Sequence, residues 1–268
     1  MKIALLQNPI SCEKDANLAL AARSIAEAAA NGAELVVLPE MFACPYRSDW
    51  FLRFAETADG PTAAMLSKAA AENHVGLIGG SFPEREGEHY YNTSMVFDES
   101  GRPIARHRKV HLFDIDVKGG QYFKESDTFT PGREITVFSL LGHTFGLAIC
   151  FDIRFPELFR SMALKGAEAV FVPAAFNMTT GPMHWELSFR MRAVDNQYFT
   201  IGCAPARQED GVYVSYGNSI VCDPWGKVLA RAGSGAETLY AEIDLSENAR
   251  VREQLPLLKA RRPEIYLS

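Results

Sequence analysis

The chain has 268 residues, 47% of them hydrophobic, with 27 Lys and Arg against 33 Asp and Glu for a formal charge of −6. That length suits one large α/β core, although two smaller domains are also possible. The acidic balance, with no long run of either sign, offers nothing for DNA or RNA, whose phosphates need clustered Lys and Arg. The opening MKIALLQ is too short for a signal-peptide core, and no segment reaches the roughly 18 apolar residues of a membrane span. Five scattered cysteines without a CxxC pair argue against a disulfide framework or a zinc ribbon. Reduced thiols in a cytoplasmic protein with no membrane contact are expected.

In chain order, residues 2–7 read as a strand and residues 16–30, rich in Ala and Leu, as a helix that Asp15 would cap and Gly32 would end. The run 34–40 (ELVVLPE) is continuously apolar between its two terminal glutamates, as a strand covered on both faces must be. Pro61 opens a helix over 61–73, with strands at 75–82 and 90–98 behind it. The region 107–130 has no clean period and reads as a long loop with short turns, a kind of segment that is often functional.

The second half opens with strands at 135–141 and 144–150, a helix over 156–165 and a strand at 169–174. A helix over 184–196 and a strand at 198–204 follow. A hairpin, 217–221 with 227–232, turns through Asp223-Pro224-Trp225-Gly226. A strand at 238–243 and a short helix over 246–254 complete the body. The tail from about 256 to 268 carries Ile265, Tyr266 and Leu267, which would pack on the body or on a partner subunit.

Two echoes run through the chain in the same order. Gly32 to Pro39 recurs as Gly166 to Pro173, and Asp98 to Gly101 recurs as Asp223 to Gly226. Two similar sheet-and-helix units, burying their bare sheet faces against each other, would give a four-layer αββα sandwich. A doubly wound sheet is the competitor, but no GxGxxG fingerprint is present.

Cys150 closes an apolar strand just before a helix start, where a nucleophile is held rigidly and backbone N–H groups favour negative charge. A buried core cysteine is the plainer alternative. Glu40 lies at the carboxyl end of a central strand, where open α/β sheets place ligands. Partial desolvation there would raise its pKa and let it take a thiol proton, although a solvated turn residue has the same signature. Lys109 belongs to the charge run 106–109, a surface run by default; as a buried ammonium it would offset charge on a tetrahedral oxygen. Glu125 either orients Lys109 and positions the amide or is exposed.

Arg154 suits a substrate carboxylate, and pairing with Glu157 or another acid accounts for it equally well. Asn177, Thr179 and Thr180 form a polar stretch directly after an apolar strand, either a pocket rim or a helix-leading turn. No HExxH or similar spacing supports a metal, and no cofactor is implied.

Three segments, VLPE at 37–40, RKVHLF at 108–113 and CFDIRFPE at 150–157, together resemble the nitrilase superfamily of carbon-nitrogen hydrolases. The resemblance runs over nearly the whole chain, so residues 1–268 are expected to form a single carbon-nitrogen hydrolase domain. It implies an αββα sandwich with an internal pseudo-twofold repeat, subunits associated at least as homodimers, and Glu40, Lys109, Cys150 and Glu125 as catalytic residues. It also implies an oxyanion site that joins Lys109 to the backbone N–H of Phe151. The stretches HLFDID at 111–116, AFNMTTGP at 175–182 and HWEL at 184–187 are most similar to the omega-amidase branch. That branch hydrolyses the terminal amide of small alpha-keto dicarboxylic acid monoamides such as alpha-ketoglutaramate. Phe151 in place of a usual tyrosine, and Lys118 in place of a common proline, are departures that affect substrate more than reaction class. Another amidase of the superfamily, such as one acting on deaminated glutathione, and a non-catalytic binding or assembly protein on the same fold stay open.

Overall fold

The structure, a computed structural model, describes residues 1–118 and 122–266. Strand β1 (Lys2–Gln7) leads through helix α1 (Lys14–Ala30) to β2 (Leu35–Val37), α2 (Ser48–Phe54), α3 (Pro61–Asn73) and β3 (Gly76–Ile78). Strands β4 (Phe82–Glu86), β5 (His89–Phe97) and β6 (Pro103–Arg108) follow, then a short ribbon of β7 (Asp114–Asp116) and β8 (Tyr122–Lys124). After a 3₁₀ turn at Glu125–Asp127 come β9 (Thr136–Leu140), β10 (His143–Leu147) and a second 3₁₀ turn at Cys150–Arg154. The rest is α4 (Pro156–Leu164), β11 (Ala169–Pro173), α5 (Gly181–Asn196), β12 (Phe199–Cys203), β13 (Ile220–Cys222), β14 (Val228–Arg231), β15 (Glu237–Glu242) and α6 (Glu247–Gln254).

Strand alternation sorts these elements into layers. In β1 and β2, Ala4, Leu6 and Val36 face the α1–α3 side, while Ile3, Leu5, Leu35 and Val37 face the other sheet. In β11, Val170 and Val172 lie under α4 and α5, while Ala169 and Phe171 meet the first sheet. Both sheet faces are therefore apolar, which is why these strands read as continuous hydrophobic runs. Phe145 and Phe171 meet edge to face at 5.3 Å in the seam between the sheets. The layers are helix, sheet, sheet, helix.

The repeat is visible in the pairing. In one sheet β1, β2 and β3 run parallel in order, with β15 antiparallel on one edge and β5 antiparallel on the other. In the other, β10, β11 and β12 run parallel, flanked by antiparallel β9 and β13. Each echo occupies the same place in its unit. Gly32 and Gly166 end α1 and α4 with positive φ. Asp98 Oδ1 accepts the N–H groups of Ser100 and Arg102, as Asp223 Oδ1 accepts those of Trp225 and Lys227.

Several expected boundaries are corrected. Asp15 does not cap α1, which begins at Lys14; Asp15 lies in its first turn, where its charge still suits the helix dipole. The strand expected over 34–40 stops at Val37, because the chain must turn to aim Glu40. The strand expected over 75–82 breaks at 79–81 into β3 and β4, and the one expected over 144–150 ends at Leu147, leaving Cys150 in a turn. The loop expected over 107–130 holds β7 and β8. Leu258 packs against the second helical layer, whereas Ile265 and Tyr266 are exposed on the single chain; Leu267 lies outside the described residues. No helix among the described residues is long and apolar enough to cross a membrane.

Candidate active site

The first functional group is delivered by a tight turn after β2. Met41 adopts φ 53°, and its N–H bonds to Ser81 Oγ at 3.0 Å, so Glu40 is thrown inward. Gly80 backs this turn with φ +60°; a Cβ there would meet the Pro39 carbonyl oxygen at 2.3 Å. Lys109 follows β6, held by backbone bonds from its N–H to Asn92 O (2.8 Å) and from Gly132 N–H to its own O (2.8 Å). A Cβ on Gly132 would sit 2.0 Å from Arg108 O, so only glycine permits that approach.

The charge run at 106–109 is therefore split by alternation. Arg106 and Arg108 reach the buried Glu84 carboxylate from partly exposed positions, while Lys109 points into the molecule with no exposed side-chain surface. Its Nζ lies 2.8 Å from Glu40 Oε1 and 2.8 Å from Glu125 Oε2. Glu125, buried at the head of its 3₁₀ turn, also accepts the Phe113 N–H at 2.6 Å. Asn92 completes the set: its amide donates to Glu40 Oε1 (2.9 Å) and to Glu125 Oε1 (3.0 Å). The Tyr46 hydroxyl lies 3.3 Å from Lys109 Nζ and 3.5 Å from Glu40 Oε1.

Cys150 occupies the turn after β10 with φ 44°, a left-handed conformation that costs energy for a non-glycine residue and recurs at functional sites. It is 6% exposed and borders a narrow cleft whose walls include Tyr46, Phe113, Arg154, Asn177 and Thr180. Its thiol interacts directly with the Glu40 carboxylate and with the Ala175 N–H. Three side chains separated by 69 and 41 positions thus converge: Cys150 meets the Glu40 carboxylate, and Glu40 meets the Lys109 ammonium.

The electrostatics revise one expectation. Burial, and then the Glu40 charge, push the Cys150 thiol well above its ordinary range, outweighing Lys109. The turn does not stabilise a resting thiolate, so the nucleophile needs a base. Burial likewise raises Glu40; Lys109 offsets this in part, and the Glu125 charge adds to it. Burial alone would lower Lys109, but the Glu125 and Glu40 charges prevail and keep it protonated. Glu40 Oε2, buried among these groups, accepts no hydrogen bond from an N–H or O–H of the described residues, leaving an oxygen free for a proton.

Arg154 has no carboxylate partner among the described residues, so pairing with Glu157 is not what holds it. Its guanidinium lies over Phe151 and Phe176, its Nη1 is 3.0 Å from His184 Nδ1, and its Nε is buried and unpaired. Asn177 Oδ1 accepts the N–H groups of Thr179 and Thr180, forming the turn that leads into α5. Rim and helix-leading turn are thus one structure, with Asn177 and Thr180 on the cleft wall and Thr179 not on it. Asn92, Tyr46 and Ala175 were not singled out in the sequence: an Asn in a strand and a Tyr in a loop carry no local mark of their partners. All five cysteines are free, and no cluster of metal-ligating residues occurs among the described residues.

Residues 2–253 match the carbon-nitrogen hydrolase family model. The chain belongs to the carbon-nitrogen hydrolases of the nitrilase superfamily. It is 45% identical to omega-amidase NIT2 of Danio rerio and 44% identical to that of Homo sapiens, each over 99% of this chain and 96% of the relative. Among solved structures, Nit3 of Saccharomyces cerevisiae superposes with a TM-score of 0.90 at 42% identity, covering 98% of this chain and 96% of that one. An amidase from Nesterenkonia sp. AN1, with the acetamide moiety of fluoroacetamide covalently added at its active site cysteine, superposes with a TM-score of 0.80 at 27% identity. That match covers 99% of this chain and 95% of the amidase. Like its family, this carbon-nitrogen hydrolase is an amidase that acts through a cysteine nucleophile.

Proposed function

We propose that the protein releases ammonia from the terminal amide of small alpha-keto dicarboxylic acid monoamides, alpha-ketoglutaramate being the type, with Cys150 as nucleophile and Glu40 as base. The observation that carries the substrate class is Arg154. A partly buried guanidinium with no acid partner among the described residues, beside Cys150, favours a substrate whose far end is a carboxylate. Resemblance to the omega-amidase relatives supports the same choice.

The thiol proton passes to Glu40 as sulfur attacks the amide carbon, and the oxyanion is met by Lys109 and the Phe151 N–H. Protonated Glu40 gives its proton to the departing ammonia, then draws one from water to release the acid from the thioester. Glu125 and Asn92 hold Lys109 and Glu40 in register; Asn177 and Thr180 shape the cleft, and Thr179 supports their turn.

A panel of amides, read by ammonia release, tests the substrate class. Succinamate and alpha-ketoglutaramate are expected to outpace both butyramide and a peptide-like amide such as deaminated glutathione. In Arg154→Met, KM for succinamate is expected to rise about 10- to 100-fold, the worth of a charged hydrogen bond, with butyramide turnover unchanged. Equal loss on both substrates, or preference for the peptide-like amide, would remove the carboxylate assignment.

Self-association is the second part of the proposal. Met183, Leu187 and Met191 are exposed at four-residue spacing on the outer side of α5, while Trp185, Phe189 and Ala193 are buried on its inner side. An apolar stripe so placed suits a second copy of the chain, and Ile265 and Tyr266 of the tail are further exposed apolar groups. Leu187→Glu is expected to shift the protein from dimer to monomer in light scattering after gel filtration. An unchanged mass would place the contact elsewhere.

A further inference from the structure

Asp152 is fully buried two residues after Cys150, yet it is not among the residues bordering the cleft. Its two oxygens collect four hydrogen bonds. Oδ1 accepts from the His111 N–H (2.9 Å) and lies 2.8 Å from His111 Nδ1. Oδ2 accepts from the Ile149 N–H (3.0 Å) and lies 3.1 Å from His107 Nε2. His107 and His111, with the Ile149 N–H, hold the carboxyl well below the usual carboxylate range against the cost of burial. An ionised carboxylate only accepts, so both ring nitrogens facing it carry protons.

These donors come from two separate parts of the chain. His107 and His111 bracket Lys109 at alternate positions, while Ile149 adjoins Cys150. Both histidines are anchored a second time: His107 Nδ1 lies 2.9 Å from Thr136 Oγ1, and the His111 ring stacks on Phe155 at 3.6 Å with 8° between planes. The clamp therefore ties the segment that delivers the ammonium to the turn that delivers both the sulfur and the Phe151 N–H.

We propose that Asp152, through His107 and His111, is a positioning residue that sets the two halves of the oxyanion site, Lys109 Nζ and the Phe151 N–H, relative to Cys150. This rests on the assignment of Cys150 and Lys109 above. A clamp of this kind acts on the tetrahedral state, where charge on oxygen must meet both donors at once, and little on ground-state binding.

The test compares two ligands on the full-length protein. Succinic semialdehyde presents an aldehyde that the Cys150 thiol adds to reversibly: a C–S bond forms as the carbonyl π bond opens, the thiol proton passes to Glu40, and negative charge develops on the former carbonyl oxygen. Succinate occupies the same cleft without that oxyanion. In Asp152→Asn, kcat is expected to fall about 10²-fold, the scale of losing one oxyanion donor, and the aldehyde Ki to rise in parallel, with succinate Ki and substrate KM within about threefold. His111→Phe keeps the ring stacked on Phe155 and removes one donor; it should show the same split at about tenfold, and it decides the matter if Asp152→Asn does not fold. An unchanged aldehyde Ki, or equal weakening of aldehyde and succinate, overturns the positioning role. An aldehyde that fails to bind the unaltered protein instead removes the Cys150 assignment on which the proposal stands.

Discussion

Cys150→Ala should abolish ammonia release, by at least about 10⁴-fold, while leaving the fold and ligand binding in place. The alteration removes a single buried sulfur from a turn whose backbone is held elsewhere, by the Asp152 N–H to Ile149 O (3.0 Å) and by the Asp152 side chain to the Ile149 N–H. Alanine meets the same left-handed backbone penalty as cysteine, so the φ of 44° introduces no new strain. Denaturant unfolding is therefore expected within roughly 1–2 kcal/mol of the unaltered protein. Cys12, Cys44, Cys203 and Cys222 cannot substitute. Burial pushes the Cys44 and Cys203 thiols upward and Cys222 to about 12, and none of the four lies on the Cys150 cleft. Near-normal ammonia release from the alanine variant would remove the nucleophile assignment, whereas a collapsed fold would show that Cys150 is needed for packing.

Lys109→Met has the second largest expected effect, and it strikes stability and turnover together. The methionine fills similar space but leaves the Glu40 and Glu125 carboxylates facing each other without their shared cation. Breaking a buried ion pair by removing one partner costs about 3–5 kcal/mol. In a domain of this size that corresponds to a loss of roughly 10 °C or more in Tm. Turnover should fall about 10³-fold or more, because the oxyanion loses its charged donor and Glu40 no longer ionises readily. Adding Glu125→Gln to Lys109→Met removes one of the two stranded charges, so it should restore part of the stability and none of the activity. If Lys109→Met alone unfolds at the usual temperature, the ammonium is not the counter-charge of this pair.

Much of the architecture was open to reading because both sheets are covered on both sides. That covering forces the uninterrupted apolar runs at 35–38 and 169–174, and the punctuation by Gly32, Pro61 and Pro156 placed the neighbouring helices. Elements at the margins were harder to see. Strand β4 (FPERE) carries a proline and three charges, and β6 (PIARHR) carries a proline and two arginines, because the outer positions of both strands meet over the Glu84 ion pairs instead of in the core. Helix α2 is seven residues long, too short to show a period.

In the site, Glu40 and Cys150 were marked by polar groups at the ends of apolar strands, and Lys109 by its place beside them in a resembling pattern. Asn92 and Tyr46 were invisible for a physical reason. Asn92 meets Glu40 and Lys109 meets Tyr46 across 52 and 63 residues, and what identifies the two is contact made in the folded chain, not a residue type or a spacing. The role of Asp152 was hidden in the same way: the alternation His107, Lys109, His111 was present in the sequence, but nothing local said that two of the three reach the turn that follows β10.

The central claim is that a carbonyl carbon becomes covalently joined to Cys150 in the course of turnover. Acid quenching during steady hydrolysis of succinamate, followed by peptide mass mapping, observes that bond directly. A succinyl adduct on the peptide that holds Cys150, appearing with the substrate and vanishing as it is exhausted, is the expected result. Continued ammonia release with the acyl group on another residue, or with Cys150 fully open to alkylation throughout turnover, would contradict it.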